Sequence, residues 1–205
     1  MTKFNPDIHH RHSIRLEGYD YSNAGAYFVT VCALSRECLF GDVVDGEMRL
    51  NEYGQVIHAY WQKVSDNFPN VVIDEYVIMP NHFHGIVTIN TANDDIGTVD
   101  VGATHELSLH NETSIKYRKE RRKMLLPRII GWFKMNSVKQ VNLLRDNPGC
   151  PGWQRNYYDH VVRTEDSLNR IRDYIRFNPS QWDKDIENPV IWDEKKAKAY
   201  YKDIL

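Results

Sequence analysis

Two histidines separated by one phenylalanine stand between two strongly β-forming stretches of the chain. The run from Tyr76 to Ile89 reads Tyr-Val-Ile-Met-Pro-Asn-His-Phe-His-Gly-Ile-Val-Thr-Ile. Side chains of a strand alternate between its two faces, so His82 and His84 point the same way and Phe83 points into the opposite layer. The pattern predicts two strands joined by a tight turn, with two imidazoles opening the second strand. The alternative interpretation is that both histidines are merely polar surface residues, and their positions in the sequence alone favour neither interpretation.

A second group of polar residues lies in a predicted helix far downstream. Thr164 is a suitable N-cap, apolar residues follow at helical spacing, and Pro179 stands where the helix should end. Tyr174 and Asn178 are about one turn apart, so their side chains emerge on nearly one face. Asn178 offers a neutral oxygen to a hard cation, and Tyr174 offers a nucleophile. A packed tyrosine and a helix-ending asparagine form the alternative.

The apolar pattern along the chain predicts an α+β fold. Alternation of apolar and polar residues predicts strands over residues 26–32, 38–44, 47–50, 71–78 and 86–89. Apolar residues at helical spacing predict helices over residues 53–68 and 123–145. The order β-β-β-α-β-β-α-β-α resembles a ferredoxin-like (RRM-like) sandwich, with helices over one face of a mostly antiparallel sheet and an extra hairpin.

The length of 205 residues suits one domain. Residues 91–116 are poor in aromatic and periodic apolar residues and are interpreted as a mobile insertion, and residues 179–205 as a C-terminal extension. No apolar run is long enough to span a bilayer, and the first 15 residues lack the apolar core of a secretory signal, so a cytoplasmic location is expected. Three cysteines without a C-x-x-C pair indicate reduced thiols.

The charge distribution leaves room for a local nucleic-acid contact. A net charge of −2 and a pI near 6.5 argue against a protein that coats nucleic acid indiscriminately. Residues 116–123 are densely basic, which indicates either a solvated helix start or phosphate binding. The segment Trp153 to Arg163 combines aromatic and basic residues suited to nucleic acid. No Walker-type phosphate loop is present in the sequence.

Taken together, these segments resemble the single-tyrosine HUH nucleases, in particular the REP-associated tyrosine transposases and related insertion-sequence transposases of bacteria. The resemblance covers most of the chain and rests on five segments: Ser13 to Asp20, Tyr27 to Cys32, Met79-Pro-Asn-His-Phe-His-Gly85, Trp153 to Arg163, and Arg172-Asp-Tyr-Ile-Arg-Phe-Asn-Pro179. A lone His-x-His is a weak signal, whereas this ordered set is specific.

The resemblance implies an HUH endonuclease fold and a set of roles. His82 and His84 would bind Mg²⁺ or Mn²⁺, Tyr174 would be the catalytic nucleophile, and Asn178 would be the third metal ligand. Tyr174 would attack single-stranded DNA beside a hairpin such as a REP palindrome, leaving a 5′-phosphotyrosine and a free 3′-hydroxyl that later permits rejoining. The protein would act as a monomer or a homodimer. Candidate DNA-binding residues are Arg11, Arg15, Lys119, Arg121, Arg122, Lys134, Arg155, Tyr158, His160 and Arg163.

Three alternatives stay open at the level of sequence. Tyr157 and Tyr158 compete with Tyr174 for the role of nucleophile, although aromatic residues in such a segment more often pack a strand or stack on bases. A ferredoxin-like sheet also suits a catalytically silent protein that binds single-stranded nucleic acid. A zinc hydrolase would begin with a similar histidine pair, but the chain is short for an eight-unit barrel and shows no further His-Asp ligand set.

Overall fold

The computed structural model describes residue 16, residues 18–90 and residues 122–191. In chain order the elements are strand β1 (Gly25–Cys32), a 3-10 helix (Leu34–Arg36), β2 (Gly41–Val44), β3 (Glu47–Leu50), α1 (Glu52–Gln62), α2 (Val64–Asn67), β4 (Val71–Ile78), β5 (His82–Ile89), α3 (Leu125–Leu144), β6 (Tyr158–Val162), α4 (Glu165–Phe177) and a second 3-10 helix (Pro179–Lys184).

The main sheet has the strand order β4-β5-β1-β6, and each neighbouring pair is antiparallel. Helix α1 lies in the chain between β1 and β4, and α3 lies between β5 and β6. This gives two interleaved β-α-β units, which is the ferredoxin-like arrangement. Strands β2 and β3 form a separate two-stranded sheet, which is the predicted extra hairpin. The predicted fold class is therefore confirmed.

Two helices cover one face of the sheet. Alternate residues of the central strands, including Tyr27, Val29, Phe83 and Val87, are buried there against side chains of α1 and α3. Gly85 completes this layer, because a Cβ atom at that position would lie 2.6 Å from Cζ of Phe83. The glycine after the histidine pair is therefore explained by packing on the side of the sheet away from the imidazoles.

Helix α4 packs on the opposite face, which differs from the expectation that all helices share one face. Phe28 and Ile86 of the central strands form a second apolar cluster with Leu168, Ile171 and Ile175 of α4. The difference follows from the strand alternation, since both faces of β1 and β5 are apolar near their middle. The face that carries the even-numbered residues of β5, including His82 and His84, is thus covered by the helix that carries Tyr174.

The helix ends agree with the sequence patterns. The side chain of Thr164 accepts a hydrogen bond from the backbone N–H of Ser167, as expected of an N-cap. Pro127 lies in the first turn of α3. The predicted helix over 53–68 is divided into α1 and α2 at Lys63, and the predicted strand over 38–44 begins only at Gly41. Within the described residues, no helix has the length and apolar character needed to cross a bilayer.

Candidate metal and tyrosine site

The two histidines lie side by side at the start of β5, on the face covered by α4. Both side chains are fully buried, and their ring centroids are 4.5 Å apart. Antiparallel pairing places Cys32 opposite His82 and Thr30 opposite His84. The common orientation predicted from their spacing is therefore present, but the histidines are buried rather than part of a half-exposed surface.

The tautomer of His82 is fixed by its neighbour in the chain. The Nδ2 atom of Asn81 donates hydrogen bonds to the carbonyl oxygens of Arg36 and Glu187, at 3.2 and 2.8 Å. Its Oδ1 atom therefore faces Nδ1 of His82, at 2.8 Å, and can only accept. The Nδ1 atom of His82 must carry the proton, so Nε2 presents a lone pair. This Nε2 atom is buried and has no hydrogen-bond partner among the described residues.

His84 has a hydroxyl group at each ring nitrogen. The Oγ1 atom of Thr30 lies 2.7 Å from Nδ1, and the Oη atom of Tyr174 lies 3.1 Å from Nε2. Its ring also stacks on Phe28, with centroids 5.4 Å apart. When Nδ1 donates its proton to Thr30, the Nε2 atom is left as an acceptor directed toward the hydroxyl of Tyr174.

Both imidazoles are held in the neutral form. Burial, assisted by the nearby Arg36 guanidinium, lowers the pKa of His82 to about 3. Burial also lowers the pKa of His84 well below its usual value, assisted by His82 and opposed by Asp185. Neutral imidazole is the form that binds metal ions. The 3.7 Å contact between Nε2 of His82 and Oδ2 of Asp185 is accordingly not an ion pair at neutral pH.

Asp185 joins the histidines from the segment that follows the second 3-10 helix. Potential ligand atoms of His82, His84 and Asp185 lie within 4.8 Å of one another, and all three residues are buried. The sequence analysis missed Asp185, because neither helical nor strand spacing relates it to the other site residues. The only sequence signal was the position of Asp185, soon after Pro179, in the segment interpreted as a C-terminal extension.

Asn178 is buried at the end of α4, and its side chain contacts Asp185. Its Nδ2 atom donates a hydrogen bond to Oδ2 of Asp185 at 2.8 Å. Its Oδ1 atom is buried without a hydrogen-bond partner in the described part of the chain. The amide thus holds the carboxylate and keeps its own oxygen unpaired. Its proposed role as a metal ligand stays a prediction.

Tyr174 reaches the site from the C-terminal part of α4. Its ring packs edge-on against Phe28, with centroids 6.1 Å apart, and its hydroxyl contacts His84. The side chain is partly exposed, in contrast to the histidines. The helical nucleophile candidate and the histidine pair, which lie 90 residues apart in the chain, therefore meet in the structure.

The two competing tyrosines lie on opposite faces of the sheet. Tyr157 packs against the apolar cluster under α1 and α3, so its hydroxyl is buried on the wrong side of the sheet for this site. Tyr158 lies opposite Thr30 on the face of the histidines, and His160 lies opposite Phe28. Two strand spacings separate Tyr158 from His84, about 10 Å. Both Tyr158 and His160 are half-buried.

The predicted basic contacts are distributed around the molecule. Arg155 and Arg163 are exposed at the two ends of β6, and Arg122 is exposed before α3. The Nζ atom of Lys134 donates to the carbonyl oxygens of residues 154, 155 and 156, so it holds the loop before β6. The remaining candidates, Arg11, Arg15, Lys119 and Arg121, lie outside the described residues.

Comparison with known proteins identifies one well-covered relative. The chain is 37% identical over 184 residues to an uncharacterised protein of Haemophilus influenzae, and the match covers 90% of this chain and 96% of the relative. The two proteins belong to one family. No protein-family model matches the chain.

The fold is also similar to a solved transposase structure. The structure of a REP-associated tyrosine transposase bound to a REP hairpin matches with a TM-score of 0.46 and 19% sequence identity. The match covers 83% of this chain and 73% of the transposase chain. The fold assignment itself rests on the strand order and the antiparallel pairing described above.

Proposed function

We propose that this protein is a metal-dependent, single-tyrosine HUH nuclease and strand transferase of the transposase type, acting on single-stranded DNA. The observation that carries the proposal is the contact between Oη of Tyr174 and Nε2 of His84. A tyrosine hydroxyl is thereby directed at a buried group of two neutral imidazoles and one carboxylate. This combination supplies a nucleophile beside a cation site, which is what attack on a phosphodiester requires.

The residues present fit a divalent metal ion. His82 offers an unpartnered, unprotonated Nε2 atom, and Asp185 offers a buried carboxylate oxygen 3.7 Å away. Two nitrogens and one oxygen favour manganese over magnesium, because imidazole is a poor ligand for Mg²⁺. A metal ion bound by His82, His84 and Asp185 would act as a Lewis acid on the phosphate to be attacked.

The protein's own groups would orient the nucleophile. Phe28 supports the ring of Tyr174 edge-on, and Thr30 keeps the His84 ring in one orientation through Nδ1. In the proposed step, Oη of Tyr174 forms a bond to phosphorus and the bond from phosphorus to O3′ breaks. The phenol loses its proton and the departing O3′ gains one, leaving a 5′-phosphotyrosine and a free 3′-hydroxyl. Attack by a later hydroxyl reverses the sequence and releases Tyr174.

The single-stranded substrate would pass over the part of the sheet that lies beside α4. Tyr158 shares a row of the sheet with Thr30 and His84, and His160 shares the next row with Phe28. A partly exposed tyrosine can stack on a base, and a nearby arginine such as Arg155 can contact phosphate. DNA hairpins resembling REP palindromes are the proposed substrates, in line with the sequence resemblance to REP-associated transposases.

A binding protein without chemistry is the second candidate. The half-buried Tyr158 and His160 would suit base stacking even if Tyr174 formed no covalent bond. In that case Tyr158→Ala would weaken hairpin binding, whereas His82→Ala and EDTA would leave the affinity unchanged.

The test is an adduct assay with labelled single-stranded hairpins taken from the flanks of the protein's own gene. Wild-type protein is incubated with Mn²⁺ or Mg²⁺, denatured, and run beside Tyr174→Phe, Tyr158→Phe and an EDTA-treated sample. The proposal expects a metal-dependent adduct in wild type and Tyr158→Phe and its loss in Tyr174→Phe. An adduct that persists in Tyr174→Phe, or hairpin binding without any adduct, would overturn it.

A further inference from the structure

The segment that carries Asp185 is attached to the domain by a buried polar network outside the metal site. The carboxylate of Glu187 accepts a hydrogen bond from Nε of Arg36 at 2.8 Å, and the Nη2 atom of the same guanidinium also lies 2.8 Å away. The side-chain exposures are 19% for Arg36 and 5% for Glu187. Nδ2 of Asn81 donates to the carbonyl oxygen of Glu187 at 2.8 Å. Three parts of the chain, namely the connection after β1, the turn before β5 and the segment after α4, therefore meet at Glu187.

The same network reaches the two candidate ligands. Asn81 also accepts the Nδ1 proton of His82, so one side chain bonds both the segment of Asp185 and the histidine. The backbone N–H of Glu187 donates to Oδ1 of Asp185 at 2.7 Å. Together with the bond from Asn178 to Oδ2, this leaves the Asp185 carboxylate fixed on both oxygens. The orientation of Asp185 thus depends on the position of Glu187.

One carboxylate of this network has no arginine or lysine partner. Arg36 pairs with Glu187, whereas no arginine or lysine among the described residues pairs with the buried carboxylate of Asp185. The ionisable side chain in contact with this carboxylate is that of His82, whose Nε2 atom lies 3.7 Å from Oδ2. A buried charge is costly unless it is paired or binds a metal ion.

The backbone at Arg36 is also unusual. Ser35 and Arg36 have positive φ angles of 55° and 57°, a backbone conformation that residues other than glycine rarely adopt. This turn brings the Arg36 side chain to Glu187 and its carbonyl oxygen to Asn81. A residue keeps such a conformation only where several surrounding contacts enforce it, and such residues are common at functional sites.

We propose that Arg36, Asn81 and Glu187 form a lock that positions Asp185 as the third metal ligand, with Asn178 as its hydrogen-bonding support. The inference rests on the proposed metal site and adds to it the residues that hold Asp185 in place. Glu187 and Arg36 are positioning residues, since they act through Asp185. Metal binding and docking of the segment 185–188 should therefore favour each other.

The experiment measures Mn²⁺ binding to the full chain without DNA, from the loss of the free Mn²⁺ signal in electron paramagnetic resonance. Near-UV circular dichroism confirms that each variant is folded. Asp185→Asn should lower Mn²⁺ affinity by about 100-fold, and Glu187→Gln by about 10-fold. Losses of this size are typical when a metal ligand, or a residue that holds a ligand in place, is substituted. Glu75→Gln, which alters a more exposed carboxylate–arginine pair with Arg176, is the matched control and should leave the affinity unchanged.

A double variant separates positioning of Asp185 from general damage to the site. If Glu187 acts through Asp185, Glu187→Gln should have no further effect on the residual Mn²⁺ affinity once Asp185→Asn is present. An equal effect of Glu187→Gln in both backgrounds, or an unchanged affinity in Asp185→Asn, would overturn the inference. A metal-dependent adduct at Tyr174 in the wild type would then still stand, so failure of the lock and failure of the nuclease proposal are distinguishable.

Discussion

At the scale of single residues, the site depends on neighbours that fix the histidine rings. Asn81 can only accept from Nδ1 of His82, and Thr30 contacts Nδ1 of His84 at 2.7 Å. The Asn81 contact selects the tautomer of His82 whose Nε2 atom carries an unshared lone pair, and the Thr30 contact orients the ring of His84. Two neutral imidazoles with their Nε2 atoms on one side are the result.

Thr30→Val tests this arrangement with little change in shape. Loss of the hydroxyl leaves Nδ1 of His84 unpaired in a buried position, which should destabilise the fold by about 1–3 kcal/mol. Mn²⁺ affinity should fall about 10-fold. Urea unfolding and Mn²⁺ titration measure the two effects. Thr88→Val, on the same face of β5 but further from the histidines, is the control, and an equal loss of Mn²⁺ affinity there would contradict the account.

The sequence was informative about residues whose relation is local. The spacing of His82 and His84 predicted a common orientation, and the helix ending before Pro179 placed Tyr174 and Asn178 close together. Asp185 could not be predicted in this way, because its position depends on Glu187 meeting Arg36, 151 residues away in the chain. Burial of both imidazoles was also unpredictable, since it depends on α4 covering that face of the sheet.

At the scale of secondary-structure elements, an ion pair at a β-bulge attaches the helix that carries Tyr174 to the sheet. The pairing of β4 with β5 shifts between Ile73 and Tyr76. Of the two intervening carboxylates, Asp74 accepts hydrogen bonds from Nε and NH2 of Arg172, at 3.1 and 2.6 Å. Tyr174 lies about 200° around α4 from Arg172. The ion pair therefore holds α4 from the side that faces away from the site.

Asp74→Asn should loosen this attachment. Removing the charge from a partly buried arginine pair should cost about 1–2 kcal/mol, after allowance for solvent screening of side chains that are 24% and 19% exposed. The rate of adduct formation should fall as well, because α4 holds Tyr174 against His84. Urea unfolding and the adduct assay check both effects. Glu75→Gln, which alters the more exposed pair with Arg176, is the control and should have the smaller effect on both. Larger effects of Glu75→Gln than of Asp74→Asn would show that the Asp74–Arg172 pair at the bulge does not position α4.

The element order was predictable, but the distribution of helices over the two faces was not. Alternation and helical spacing gave the β-β-β-α-β-β-α-β-α order that the structure contains. Apolar residues on both faces of β1 and β5 are compatible with covering helices on either side. The choice is made by the apolar stripe of Leu168, Ile171 and Ile175, which packs on Phe28 and Ile86.

At the scale of the whole molecule, the candidate site joins β1, β5, α4 and the segment after α4. A metal ion that binds only this assembled form should stabilise the folded state. At a free concentration of 100 times its Kd, Mn²⁺ should contribute about 2.7 kcal/mol, which corresponds to a rise in Tm of about 5–10 °C for a chain of this size. Thermal unfolding with and without Mn²⁺ measures this rise.

Histidine variants provide the control for that measurement. His84→Asn keeps a polar side chain at the site but removes an imidazole, and it should lose most of the Mn²⁺-dependent rise in Tm. The quantity compared is the rise itself, so a lower starting Tm in the variant does not affect the conclusion. An equal rise in wild type and His84→Asn would place the metal ion elsewhere on the protein.

The central claim is that Tyr174 forms the covalent bond to DNA, and mass spectrometry of the trapped adduct tests it most directly. Trypsin separates the candidates, because Tyr174 belongs to the peptide Asp173 to Arg176 and both competing tyrosines belong to the peptide Asn156 to Arg163. After nuclease treatment, the account predicts the mass of a 5′-phosphorylated nucleotide on the first peptide at Tyr174. The same mass on the second peptide would contradict the account and move the nucleophile to Tyr157 or Tyr158.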